Sequence, residues 1–234
     1  MHYPLFGVGL QGKSPIVTSQ KRLNCYYEFQ PVELEGEDKT KVAIYGTPGL
    51  TLFVNLGVAP NRGMWSLGNF LYVVQAGTLW QINNGGTITS RGTLSTTTGK
   101  VSITDNGVYL LIVDGTYGYA FNVNTNAFTR SDAFTGPTNF PAAPVMTTFL
   151  DTYFIVNNNN TGSFYLSASN DPTTWASGNS ASLQSSPFNI QGLIAVHGEL
   201  VLFSNNTIEF WANTGATDFT YSRIASANVE WGLA

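Results

Sequence analysis

Apolar residues along most of this chain fall in short runs separated by turns rich in Gly, Asn and Asp, and the 3.6-residue spacing of an amphipathic helix is nearly absent. The runs recur as a unit: a β-run, a tight turn, a second and more apolar run, another turn, and a third run. The first copy joins residues 64–67, the turn Gly68-Asn69, residues 70–74, the turn Ala76-Gly77 and residues 78–82. The second joins 101–104, Asp105-Asn106-Gly107, 108–113, Asp114-Gly115 and 117–121. The third joins 145–149, Asp151-Thr152, 153–156, an asparagine tract (157–160) and 163–166. The fourth joins 193–196, His197-Gly198, 199–203, Asn205-Asn206 and 207–211.

Aligned on Leu71, Tyr109, Tyr153 and Leu200, the copies repeat at intervals of 38, 44 and 47 residues. A period of about 40–50 residues with three or four strands per unit is that of a propeller blade. Asn-Gly and Asp-Gly supply the positive φ angles of two-residue hairpins. The middle runs are almost wholly apolar, as strands covered on both faces must be. The pattern therefore predicts an all-β, β-propeller-like array of antiparallel blades, with at least four blade units.

Residues 41–234 are assigned to the blades. Residues 1–40 contain no such unit and are read as an N-terminal arm and loop. Their charge cluster (Glu33, Glu35, Glu37, Asp38, Lys39 and Lys41) surrounds Gly36 in the manner of a solvated loop. Proline-containing polar loops at 136–144 and 170–187 interrupt the blades without a change of composition. After the last run, residues 219–224, the stretch 228–234 resembles the start of another strand. The expectation is the N-terminal part of a longer protein, or one subunit of a ring whose neighbours cover the exposed edge.

Composition narrows the function. Charged residues are only 10% of the 234, against a usual share of roughly 25%, and aromatics at 13% argue against disorder. Ten basic residues and a net charge of −4 form no basic stripe, so tight binding of a nucleic acid backbone is not expected. The N-terminus lacks the pattern of a secretory signal, and the longest apolar run is far short of the roughly 20 residues that span a bilayer.

Candidate chemistry is sparse. The single cysteine, Cys25, cannot form an intrachain disulfide, and with only His2 and His197 as partner bases it reads as a buried apolar side chain. Neither a phosphate-binding loop nor a nucleophile elbow is present, and no His/Cys/carboxylate cluster has metal-ligand spacing. No catalytic residue, cofactor or metal is assigned. Asp114, Asp151 and Glu209 sit at comparable places in successive units, where two of them could act as the carboxylate pair of a glycosidase. Turn chemistry accounts for the two aspartates. Glu209 lies in a strand, where its side chain must point opposite to Ile208 and Phe210. Trp65, Trp80, Trp175, Trp211 and Trp231 are read as core or interface residues before sugar-stacking platforms.

An ordered series of short motifs adds a resemblance. Arg22-Leu23-Asn24-Cys25-Tyr26-Tyr27-Glu28 is followed by Thr47-Pro48-Gly49-Leu50, Arg62-Gly63, Asp114-Gly115, Asn206-Thr207-Ile208-Glu209-Phe210-Trp211 and Asn213-Thr214-Gly215-Ala216. In this order and at these separations they resemble the packaged-DNA stabilisation, or tail hub (nozzle), proteins of short-tailed bacteriophages, over nearly the whole chain. The resemblance implies a propeller-based virion tail subunit without catalysis, made in the host cytoplasm and not inserted into a membrane. It implies a homo-oligomeric ring, a hexamer, below the portal-adaptor proteins. That ring holds the tail needle or plug, lets double-stranded DNA pass without tight binding, and retains the packaged genome. Arg22, Asn24, Tyr26 and Glu28, outside the blade repeat, are the candidate docking or ring interface; the alternative is an ordinary strand packed on the propeller. Two other readings remain open: a carbohydrate-binding or carbohydrate-cleaving propeller recognising the host surface, and a generic propeller scaffold for protein contacts.

Overall fold

The computed structural model describes residues 25–30, 41–185 and 187–233. The chain divides into two compact units, Met1–Phe53 and Val54–Ala234. In the first, β1 (Cys25–Gln30) and β2 (Lys41–Gly46) form an antiparallel ladder running from Cys25 opposite Gly46 to Gln30 opposite Lys41.

The described residues of the second unit form four four-stranded antiparallel sheets, each strand hydrogen-bonded to its neighbour in sequence. Blade 1 is β3 (Asn61–Leu67), β4 (Phe70–Gln75), β5 (Thr78–Asn83) and β6 (Ile88–Thr93). Blade 2 is β7 (Ser102–Asp105), β8 (Tyr109–Val113), β9 (Gly118–Asn122) and β10 (Phe128–Arg130). Blade 3 is β11 (Pro144–Leu150), β12 (Tyr153–Asn158), β13 (Ser163–Leu166) and β14 (Ser180–Ser182). Blade 4 is β15 (Ile190–Val196), β16 (Glu199–Ser204), β17 (Ile208–Asn213) and β18 (Tyr221–Val229). First strands touch in series, β3 to β7 to β11 to β15. The first strand of each blade is thus its inner edge and the fourth its outer edge, as in a propeller.

The repeat predicted from the pattern is present, with two differences. Each blade has a fourth strand, and in blades 1 to 3 the hydrophobic runs do not reveal it, whereas in blade 4 the run 219–224 falls largely within β18. β6 is largely exposed and β10 and β14 have three residues each, so an outer strand carries little apolar signal. The copies also align one residue differently. Cross-strand register and packing put Leu110 and Phe154, not Tyr109 and Tyr153, on the faces matching Leu71 and Leu200. Leu110 packs towards blade 1, whereas Tyr109 packs towards blade 3. Successive strand residues face opposite ways, and the apolar runs, buried on both faces, conceal the slip.

Three interblade cores result. Blades 1 and 2 share Tyr72, Val74, Leu79, Leu110, Ile112 and Phe121. Blades 2 and 3 share Leu111, Val113, Phe140, Phe154, Val156 and Trp175. Blades 3 and 4 share Ile155, Phe164, Leu200, Leu202, Trp211 and Tyr221. Where blades approach most closely, a side chain is excluded. A Cβ on Gly63 would lie 2.6 Å from Val101 Cγ2 and 3.1 Å from the Val101 carbonyl.

Candidate functional site

Of the predicted docking residues, Arg22 and Asn24 lie outside the described residues. Tyr26 and Glu28 are on β1, opposite Tyr45 and Ala43. The Tyr26 and Tyr45 rings stack with centroids 5.6 Å apart and interplanar angle 25°, and both are about half exposed (50% and 45%). A stacked, solvent-facing tyrosine pair is the kind of rigid amphipathic surface that protein contacts favour.

The chemistry-bearing residues of the motif series do something different: they bridge blades. Arg62, 7% exposed at the start of β3, donates through Nε to the Gly99 carbonyl and through Nη1 to the carbonyls of Ala76 and Thr96. Its Nη2 donates to Thr96 Oγ1 at 2.8 Å, and that hydroxyl donates to Asp114 Oδ2 at 2.5 Å. Asp114 Oδ1 accepts from the backbone N–H groups of Thr116 and Tyr117, capping its turn, while Oδ2 also accepts from the Tyr119 hydroxyl. Blade 1, the crossover and blade 2 are thereby tied through one buried network.

Glu209 plays the corresponding part between blades 3 and 4. It is fully buried, and its Oε1 accepts from Gln184 N at 2.8 Å, Ser185 N at 2.5 Å and Ser185 Oγ at 2.5 Å. Oε2 accepts from Trp211 Nε1 at 2.9 Å. A buried carboxylate is tolerated when its lone pairs are filled, and here three of the four donors come from the crossover between two blades and the fourth from Trp211 on the same strand. The strand alternation correctly placed Glu209 opposite to Ile208 and Phe210. Its crossover partners, 24 and 25 residues away, left no sequence signal. The partners of Arg62 left none either; the glycine that follows it marks only a close backbone approach, at Val101.

The three carboxylates at comparable blade positions do not converge on one cleft. Asp114 serves the blade 1–2 junction, Glu209 the blade 3–4 junction, and Asp151 the β11–β12 hairpin. Among the tryptophans, Trp175 and Trp211 are 1% exposed; Trp65 donates to Asp105 Oδ2 across blades at 2.6 Å; Trp231 is exposed. An open cleft of about 500 Å³ is lined by Thr116, Tyr117, Asp132, Pro137, Phe140 and Pro141 among others. Asp132 there makes a bidentate pair with Arg130, which holds its carboxyl below the usual carboxylate range, a poor setting for a general acid. Among the described residues no group of three or more His, Cys, Asp or Glu is placed to hold a metal ion, and no helix is long and apolar enough to cross a membrane.

Known proteins agree with this architecture. The chain resembles the Neurospora crassa Pan2 WD40 domain at TM-score 0.52 and 10% identity, covering 74% of this chain and 52% of that one. It resembles a chain from a structure of S. cerevisiae Dbp5 bound to Nup159 and Gle1 at TM-score 0.50 and 9% identity, covering 78% and 55%. The chain thus spans about half the length of these structures, and at such identities the likeness is one of fold. No curated protein matches the sequence. The family described as "Bacteriophage P22 Gp10, beta-propeller" matches residues 25–234, a span that contains the blades and the buried residues that tie them: the chain belongs to this phage stabilisation family of β-propellers.

Proposed function

We propose that this protein is a non-catalytic structural component of a phage tail that helps keep the packaged genome in the head. More specifically, it acts as a hub subunit, in a sixfold ring, that docks below the portal-adaptor proteins, engages the needle or plug and helps close the DNA exit channel. The observation that carries the reading is the family match across residues 25–234. The buried chemistry supports it. Arg62, Asp114 and Glu209, the polar residues best placed for reactivity, are consumed in holding blades together, as a load-resisting part requires. The docking surface is the arm that precedes the blades, around Arg22, Asn24, Tyr26 and Glu28, where the Tyr26–Tyr45 stack is open to a partner. DNA passes without tight binding, because few cations are available to displace phosphate counterions.

Genome retention tests the reading. DNA-filled heads lacking this protein, with the full-length product added back, should become resistant to nuclease, and Tyr26→Ala should weaken that protection without unfolding the blades. Heads that stay leaky and do not bind the protein would refute the hub role.

A further inference from the structure

The sequence holds two Asn-Gly dipeptides, Asn84-Gly85 and Asn106-Gly107. An asparagine before glycine is prone to ring closure, because the glycine nitrogen, with no Cβ beside it, easily reaches the asparagine side-chain carbonyl carbon. Both dipeptides lie in hairpin turns, the first between β5 and β6 of blade 1 and the second between β7 and β8 of blade 2. Both also hold the glycine N–H in the same way. Gly85 N donates to Asn83 Oδ1 at 3.0 Å and Gly107 N to Asp105 Oδ1 at 2.7 Å. The attacking nitrogens are therefore similarly placed, and the asparagine side chains are not.

Asn106 is held. Its Oδ1 accepts from the backbone N–H groups of Val108 and Tyr109 at 3.0 and 2.8 Å, and its Nδ2 donates to the Asn170 carbonyl at 3.1 Å. Asp114-Gly115, the aspartate counterpart, is held as well, with both carboxylate oxygens accepting hydrogen bonds. Asn84 is exposed, and its side chain makes no hydrogen bond to a described residue. Its neighbour builds the turn instead: Asn83 Oδ1 accepts from Gly85 N and Thr87 N, and the Asn83 carbonyl accepts from Gly86 N. The Asn84 side chain can thus rotate towards Gly85 without giving up a bond.

We propose that Asn84 is a site of spontaneous modification in the folded protein. The Gly85 nitrogen bonds to Asn84 Cγ and loses its proton, the Cγ–Nδ2 bond breaks, and the side-chain nitrogen leaves as ammonia. Water then opens the cyclic imide at either of its carbonyls, giving aspartate or isoaspartate. Either product adds a negative charge to a chain whose net charge is −4. Isoaspartate also adds a methylene to the main chain, inside the turn that Asn83 Oδ1 holds through two N–H groups. β6 follows this turn, and its Gly92 seats the Phe128 ring of blade 2, where a Cβ would run into the ring. A loosened β6 therefore reaches the outer end of the blade 1–2 junction. The proposal goes beyond the tail role and does not rest on it.

The full chain, incubated folded at mildly alkaline pH beside a sample unfolded in guanidinium, tests it when the tryptic peptides 63–91 and 101–130 are followed by mass spectrometry. Unfolded, both asparagines should convert at similar rates. In the folded protein Asn84 should convert while Asn106 lags by about tenfold or more, since its three side-chain hydrogen bonds must first break. Asn84→Gln should remove the change from 63–91. An Asn84 that stays intact in the folded protein overturns the proposal, as does an Asn106 that keeps pace with it. The isoaspartate form, isolated by ion exchange and identified by peptide mapping, should show faster amide exchange across β6 than the parent. Asn84→Asp, which carries the charge without the added methylene, should match the parent. Equal protection of β6 in all three overturns the loosening of the junction.

Discussion

Replacing Glu209 tests whether the blades are joined by buried polar struts as well as by apolar contact. In Glu209→Gln the side-chain oxygen can still face Gln184 N, Ser185 N and Ser185 Oγ. The new amide NH₂ then meets Trp211 Nε1–H, donor against donor, where a carboxylate oxygen accepted at 2.9 Å. The remaining bonds also lose their charge assistance. Hydrogen bonds to charged groups contribute about 1.5–3 kcal/mol against about 0.5–1.5 for neutral ones, and a stranded buried donor costs about 1–3. The expected loss is about 2 kcal/mol. Glu209→Ala strands both backbone donors and the indole N–H and leaves a void, for an expected loss of about 4 kcal/mol. For a unit of this size, each kcal/mol shifts the melting temperature by about 2–4 °C. Urea unfolding followed by tryptophan fluorescence gives both numbers. A Glu209→Gln protein within about 0.5 kcal/mol of the parent, the range of ordinary surface changes, would refute the strut.

Other perturbations probe other links. Gly63→Ala would put its Cβ 2.6 Å from Val101 Cγ2, and the overpacked junction should lose about 2 kcal/mol in the same urea assay. Asp114→Asn presents a donor to the Thr96 hydroxyl, which already accepts from Arg62; the expected loss is about 2 kcal/mol, and coupling to Arg62→Ala in a double-mutant cycle checks that they form one network. Thr152 sits at φ 75 and Asp151 at φ 47, a strained place for a β-branched residue; Thr152→Gly should raise stability by about 1 kcal/mol, read as a higher melting temperature. Burial raises the hydroxyl pKa of Tyr72, Tyr119 and Tyr221 above the ordinary 10.0, Tyr221 with help from the Asp151 charge. The folded state therefore binds these protons more tightly than the unfolded chain. Their contribution is whole below the ordinary value and is lost as pH rises through the folded values. Ultraviolet titration should find these three tyrosines un-ionised until a cooperative alkaline unfolding, and gradual ionisation of all tyrosines together would contradict it.

The blade repeat, the strand content and the hairpin turns could be read directly from residue order, because they depend on local spacing. A middle run such as 108–113 is apolar at successive positions only if both its faces are covered, and Asn106-Gly107 or His197-Gly198 fixes a turn by its own φ preferences. The orientation of Glu209 followed from strand alternation alone. Residue order did not supply the frame of that alternation in Tyr109 and Tyr153, the short outer strands, or the partners of Arg62, Asp114 and Glu209. Those were decided by packing between blades. An apolar run carries no mark of which face its first residue takes, and a buried polar side chain is matched by donors that chain closure, rather than sequence proximity, brings to it.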